Sequence, residues 1–159
     1  MSEVANNRAV SDLILAPDLR RQIEEEGSAA YPNECCGIFI GRDLVRDGVE
    51  RRVIERLVPG RNAFEAAEQY HRFSIDPGQQ LKAEKEAEKE GKCVLGYYHS
   101  HPDHPARPSE YDRVHAWPFY SYLIVAIAKG KPVDMTCWVL DDQTEQFSRQ
   151  EIVAPDCDD

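Results

Sequence analysis

The sequence predicts an α/β fold of the mixed α+β kind, with one sheet and helices packed on it. Short apolar runs bounded by Gly, Pro and charged residues read as strands at residues 35–41, 49–58, 94–98, 120–128, 133–140 and 144–153. A helical pattern precedes the first run and another separates the second from the third, whereas later runs are joined by turns such as Gly130-Lys131-Pro132. At 159 residues, with 42% hydrophobic and 30% charged residues, the chain has the length and balance of one globular domain.

Each element has a local cause. Residues 1–12 are polar and are expected to be flexible, which leaves a single domain over 13–153 and a flexible acidic tail at 154–159. Leu19 and Ile23 are four apart, and the pattern stops before Tyr31-Pro32, giving a first helix over 18–30. The run at 35–41 is closed by Gly41 and reads as a buried strand. The next, rich in Val and Ile, ends at Pro59-Gly60. Residues 61–71 are irregular and polar, the expected mobile loop beside a cleft. A helix is predicted over 76–90, because Asp76 can cap it, Pro77 suits its first turn and Gly91 its exit. Its Lys and Glu residues, such as Lys82 with Glu86, form a solvated face.

Charge and cysteine usage narrow the function. A formal net charge of −10 opposes general affinity for nucleic acid or an anionic membrane and leaves a protein or peptide partner. Arginines 42, 46, 51, 52, 56 and 61 alternate with Asp43, Asp47, Glu50 and Glu55, the pattern of a solvated mixed-charge hairpin. No apolar segment is long enough to span a bilayer, and the first residues are too polar for a signal peptide, which points to the cytoplasm. The five cysteines, at 35, 36, 93, 137 and 157, are odd in number and lack a Cys-x-x-Cys pair, so reduced structural thiols are expected.

The chemistry is concentrated after the strand at 94–98. His99 and His101 are two apart, so in an extended strand both imidazoles leave on one face. Asp112 in the following loop or helix would add a carboxylate and leave a fourth position open to water, the arrangement of a catalytic rather than a structural zinc. Such an ion lowers the pKa of water from about 16 to about 7. Glu34, at the rim of an apolar strand, is the candidate base, and Ser109 the candidate donor to a developing oxyanion. Prolines 102, 105 and 108 stiffen the loop between them. A structural reading competes: Ser109-x-x-Asp112 also fits a capping box on a helix running toward Trp117, and two histidines at a strand end often form only a polar rim. His71, His104 and His115 stand outside the site.

Glu34, His99-Ser100-His101-Pro102, seven intervening residues, Ser109, two more and Asp112 resemble the JAMM (MPN+) metallopeptidase signature. Tyr31-Pro32-Asn33-Glu34-Cys35-Cys36-Gly37, Arg72-Phe73-Ser74-Ile75-Asp76-Pro77 and Gly96-Tyr97-Tyr98 extend the likeness to the compact bacterial branch, over about residues 12 to 150. The resemblance implies a curved mixed sheet flanked by helices, with cytidine-deaminase-like layering. It implies one catalytic zinc held by His99, His101 and Asp112, with Glu34 activating water and Ser109 steadying the oxyanion. It also implies a partner, a small ubiquitin-fold sulfur-carrier protein whose Gly-Gly tail lies extended in a groove, with residues 62–71 as its wall, and loses cysteine or a short peptide. Alternatives remain open: an isopeptidase freeing the carrier from protein conjugates, or a metal-free MPN scaffold that only docks partners. A zinc deaminase lacks its His-x-Glu and Pro-Cys-x-x-Cys elements here. The sequence leaves monomer and homodimer open, and the pathway unnamed.

Overall fold

The computed structural model describes residues 10–60 and 75–156. Along the chain these form β1 (Asp12–Ile14), α1 (Pro17–Ala30), β2 (Cys36–Arg46), β3 (Val49–Pro59), α2 (Pro77–Lys89), β4 (Cys93–Pro102), α3 (Glu110–His115), β5 (Ser121–Ala128), β6 (Lys131–Leu140), β7 (Phe147–Gln150) and β8 (Ile152–Val153). The expected mixed sheet with flanking helices is therefore present. The expected groove wall at 62–71 lies outside the described residues, as do His71 and Cys157.

The eight strands form one sheet in the order β7-β6-β5-β4-β2-β3-β1-β8. β4 pairs parallel with β5, and β1 parallel with both β3 and β8, while the remaining pairs are antiparallel. The run expected as one strand over 144–153 is two. β7 and β8 are separated by Glu151 alone yet occupy opposite ends of the strand order, so the sheet must curl until its two ends share one stretch of chain. The Leu13 and Leu15 amides donate to the Glu151 and Val153 carbonyls at 2.8 and 2.9 Å, and the Gln150 side chain donates to the Ser11 carbonyl at 2.6 Å. Asp12, expected in a flexible terminus, begins β1. That strand is too short to show a period-two pattern.

β4 is buried on both faces because each face has a cover. Tyr98 and Leu95 join Leu13, Ile23, Phe39 and Leu123 in the core beneath α1. On the opposite face Tyr97 and Val94 pack with Ile38, Ile40 and with Ala83 and Ala87 of α2. Those two alanines are the buried edge of an otherwise solvated helix, which Asp76 caps by accepting from the Gly78 amide at 3.1 Å. Gly37 is required where it stands: a Cβ there would lie 2.0 Å from the Tyr98 ring.

The charged hairpin of β2 and β3 turns at Asp47-Gly48, both at positive φ, and is largely exposed as expected. Arg52 departs from that expectation. It is buried, pairs with Asp43 at 2.9 Å, and donates to the Leu95 and Phe119 carbonyls and the Ser121 hydroxyl. Ser121 donates onward to Gln150 at 2.7 Å, so a polar chain ties β3, β5 and β7 inside the curl. Among the described residues no helix is long and apolar enough to cross a membrane.

Candidate metal centre

The antiparallel register of β2 and β4 builds the centre. Cys36 lies opposite His99, and the pairing continues past the strand end: the Cys35 amide donates to the Ser100 hydroxyl at 2.8 Å and the Ser100 amide to the Cys35 carbonyl at 3.1 Å. Carried one residue further, this register sets Glu34 across from His101. Alternation along β4 then turns His99 and His101 to one face and Tyr98 and Ser100 to the other.

The loop after β4 returns the third group. The Thr136 hydroxyl donates to the Ala106 carbonyl at 2.6 Å and fastens this loop to β6. At its end Ser109 caps α3 in a full capping box. Its hydroxyl accepts from the Asp112 amide at 3.0 Å, and its own amide donates to Asp112 Oδ2 at 2.8 Å. The structural reading of this motif is thus correct and does not exclude the functional one, because the same Asp112 carboxylate reaches both imidazoles. Asp112 Oδ1 lies 3.3 Å from His99 Nε2, Oδ2 lies 3.2 Å from His101 Nε2, and the two Nε2 atoms are 3.1 Å apart.

These separations fit a metal ion. In a tetrahedral site with arms of about 2.0 Å, neighbouring donors lie about 3.3 Å apart, close to all three distances. The tautomer of His101 fits as well: its Nδ1–H donates to the Pro105 carbonyl at 2.9 Å, which leaves Nε2 with a free lone pair. Burial drives His99 toward the neutral form, against the pull of Asp112. His101 is lowered by burial but raised more by the hydrogen bonds to Asp112 and Pro105, for a net rise. Asp112 is held ionised far below its ordinary value; burial opposes this, and His99, His101 and the Ser109 amide outweigh it.

Glu34 completes a second grouping, with its carboxylate within 4.8 Å of both imidazoles. The shorter contacts favour Asp112 as the third donor. Glu34 is buried, and its Oε2 has no hydrogen-bond partner among the described residues. Burial pushes its carboxyl up to about 8, with His101 pulling down and Asp112 pushing up. A group poised near neutrality beside the donors suits proton transfer better than ligation. Burial also lifts Cys35 to about 11 and Cys36 to about 12, so both remain packed thiols.

Two recesses with no lining residue in common reach this centre. The larger, about 710 Å³, ends at His99 and Asp112 and is walled by Tyr97, Tyr111, Trp117, Phe119, Tyr120 and Tyr122. The smaller, about 300 Å³, is lined by Glu34, His101 and Ser109 with His104, Arg107 and prolines. His115 stacks on Tyr111 at 4.1 Å and lines the larger recess, while His104 lines the smaller; neither is among the converging donors. Sequence reasoning missed the Pro105 carbonyl, the Ser100 hydroxyl and the aromatic wall. A carbonyl partner has no residue-type signal, and the aromatics come from separate elements.

The family of prokaryotic homologs of the JAB domain matches residues 16–141. The chain belongs to this family. Desampylase from Haloferax volcanii is 35% identical over 119 residues, covering 72% of this chain and 80% of that relative. A probable TtuB-protein conjugate cleaving protease from Thermus thermophilus is 37% identical over 81 residues, 51% of this chain and 47% of the relative. The solution structure of a protein from Desulfitobacterium hafniense matches with a TM-score of 0.74 at 32% identity, over 91% of this chain and 93% of that one. The resemblance to the JAMM/MPN+ family is thereby borne out, and with it the fold. As a JAB-domain protein the chain is a hydrolase of peptide or isopeptide bonds.

Proposed function

We propose that this chain is a hydrolase with one catalytic zinc that cuts the bond after the C-terminal Gly-Gly of a small ubiquitin-fold protein. The conjugate-cleaving activity named for the Thermus relative supports release of such a partner from protein conjugates. Removal of cysteine or a short peptide from the tail of a sulfur carrier is the same cleavage with a smaller leaving group, and is the finer form of this reading. Free thiols at Cys35, Cys36, Cys93 and Cys137 suit a reducing compartment such as the cytoplasm. The working domain is taken as residues 13–153.

The convergence of His99, His101 and Asp112 with Glu34 facing them carries the proposal. His99, His101 and Asp112 hold the zinc, which when bound makes water acidic and polarises a carbonyl. Glu34 collects the proton from the attacking water and delivers it to the departing nitrogen. Ser109 Oγ accepts from the Asp112 amide, so its hydroxyl proton remains available to the oxyanion. Glu34, His99 and His101 are 6%, 1% and 8% exposed, a depth that backbone without Cβ atoms enters most easily and a physical reason for Gly-Gly. Among the described residues β4 is flanked by β2 and β5, and the aromatic recess that reaches His99 and Asp112 is where the tail is accommodated.

The test is to present the zinc-loaded protein with a ubiquitin-fold carrier whose Gly-Gly tail is extended, and with the same carrier joined to a lysine side chain. Product masses are read alongside zinc content. Cleavage after Gly-Gly with stoichiometric zinc is expected. Folded protein that neither retains zinc nor cuts either substrate would leave only the scaffold reading.

A further inference from the structure

The two recesses divide the substrate, and the division rests on the proposed function. Glu34 must hand its proton to the nitrogen that leaves, so the leaving group departs through the recess that Glu34 walls. That recess is the smaller one, and Arg107 stands in its lining. Arg107 also lines a neighbouring cleft of about 520 Å³, which shares His104 and Pro105 with the recess and adds Lys129 and Arg149.

Several cations elsewhere in the chain are held by acidic partners. Arg42, Arg51, Arg52, Arg56, Lys92 and Arg113 are each engaged with a carboxylate. Among the described residues Arg107 has no carboxylate within ion-pair distance, and it is the guanidinium lining the smaller recess. Lys129 and Arg149 share their cleft with Asp103 and Asp134, so its field is mixed, whereas Arg107 is the guanidinium that borders both this cleft and the smaller recess.

We propose that Arg107 is a specificity-determining residue that binds a carboxylate on the leaving group, immediately beyond the scissile bond. A guanidinium fork matches a carboxylate in two parallel hydrogen bonds, a geometry that Lys reproduces only in part. The carboxylate has two sources: the free α-carboxylate of a single released residue, or an acidic side chain at the start of a longer leaving group.

Three substrates separate these sources: a ubiquitin-fold protein with Gly-Gly followed by alanine as the free acid, by alanine as the carboxamide, or by aspartate as the carboxamide. Their kcat/KM values are measured with wild type, Arg107→Ala and Arg107→Lys. Wild type is expected to favour a carboxylate-bearing substrate over alanine carboxamide by about tenfold to a hundredfold. Preference for the free acid identifies the α-carboxylate, and preference for the aspartate substrate the side chain. In either case the ratio collapses toward one in Arg107→Ala and is partly kept in Arg107→Lys. Equal turnover of all three by wild type, or a ratio unmoved by Arg107→Ala, overturns the proposal while leaving the hydrolase reading intact. If no substrate is cut, the hydrolase reading has failed, and NMR titration with acetyl-alanine and its carboxamide decides about Arg107. A shift of the Arg107 Nε–H signal by the acid alone supports binding; none refutes it.

Discussion

Replacing Glu34 by glutamine is expected to stabilise the metal-free protein at neutral pH and to do nearly nothing in acid. The Glu34 carboxyl is raised from 4.5 to about 8, mainly by burial. Below pH 4.5 the native and unfolded chains both hold the proton, and the group adds no penalty. Between pH 4.5 and about 8 the unfolded chain releases the proton while the native state retains it, so stability falls as pH rises. At pH 7 the gap is about 2.5 units, or about 3 kcal/mol, and it levels off above the native pKa. Glutamine presents a neutral group of the same shape and does not titrate, so the variant escapes this loss. His101 and Asp112 titrate in both proteins and cancel from the difference, apart from their coupling to Glu34. A change of about 3 kcal/mol is a large part of a domain's stability, well within reach of urea denaturation with a chelator present. The two stability curves are expected to meet near pH 4.5 and to separate by about 3 kcal/mol at pH 7, glutamine the more stable. Parallel curves across this range would mean that Glu34 ionises normally in the native state, and its burial without a charge partner would be wrong.

The remaining predictions concern the donors and the scaffold beneath them. Glu34→Gln should keep zinc and lose turnover, whereas Asp112→Ala should lose both, because only the latter removes a donor from the three that converge within 3.3 Å. Equal zinc loss in the two variants would reassign Glu34 as a ligand. Gly37→Ala should destabilise the fold by about 2 kcal/mol or more, since the new methyl meets a Tyr98 ring held by Phe39 and by a 2.7 Å hydrogen bond to Glu26. An unchanged denaturation midpoint would show that the ring moves aside freely.

Much of the centre was legible because it is written locally. His99 and His101 obey the alternation of a strand, and Ser109 with Asp112 obeys the geometry of a helix start, so each pair follows from local spacing. Glu34 was different: the apolar run after it marks a carboxylate at a strand rim, but its link to His101 is a matter of strand register 67 residues away, which no local spacing shows. The helices over 17–30 and 77–89 were foreseen from caps and prolines within a residue or so. What escaped depends on partners distant in sequence. Arg52 sits among exposed charges in the sequence, yet Ser121 and two carbonyls receive it inside the sheet. The break at Glu151 carries no Gly or Pro, because the chain there stays extended and merely changes neighbours.

That change of neighbours makes residues 147–153 the clasp of a hoop. Until β7 and β8 are in place β6 and β1 each keep an unpaired margin, since one short ribbon of chain closes both. The candidate metal donors, His99 and His101 on β4 near the middle of the strand order and Asp112 on the short helix after it, all precede this clasp in the chain. A nascent chain could therefore gather its donors first and close its circumference last.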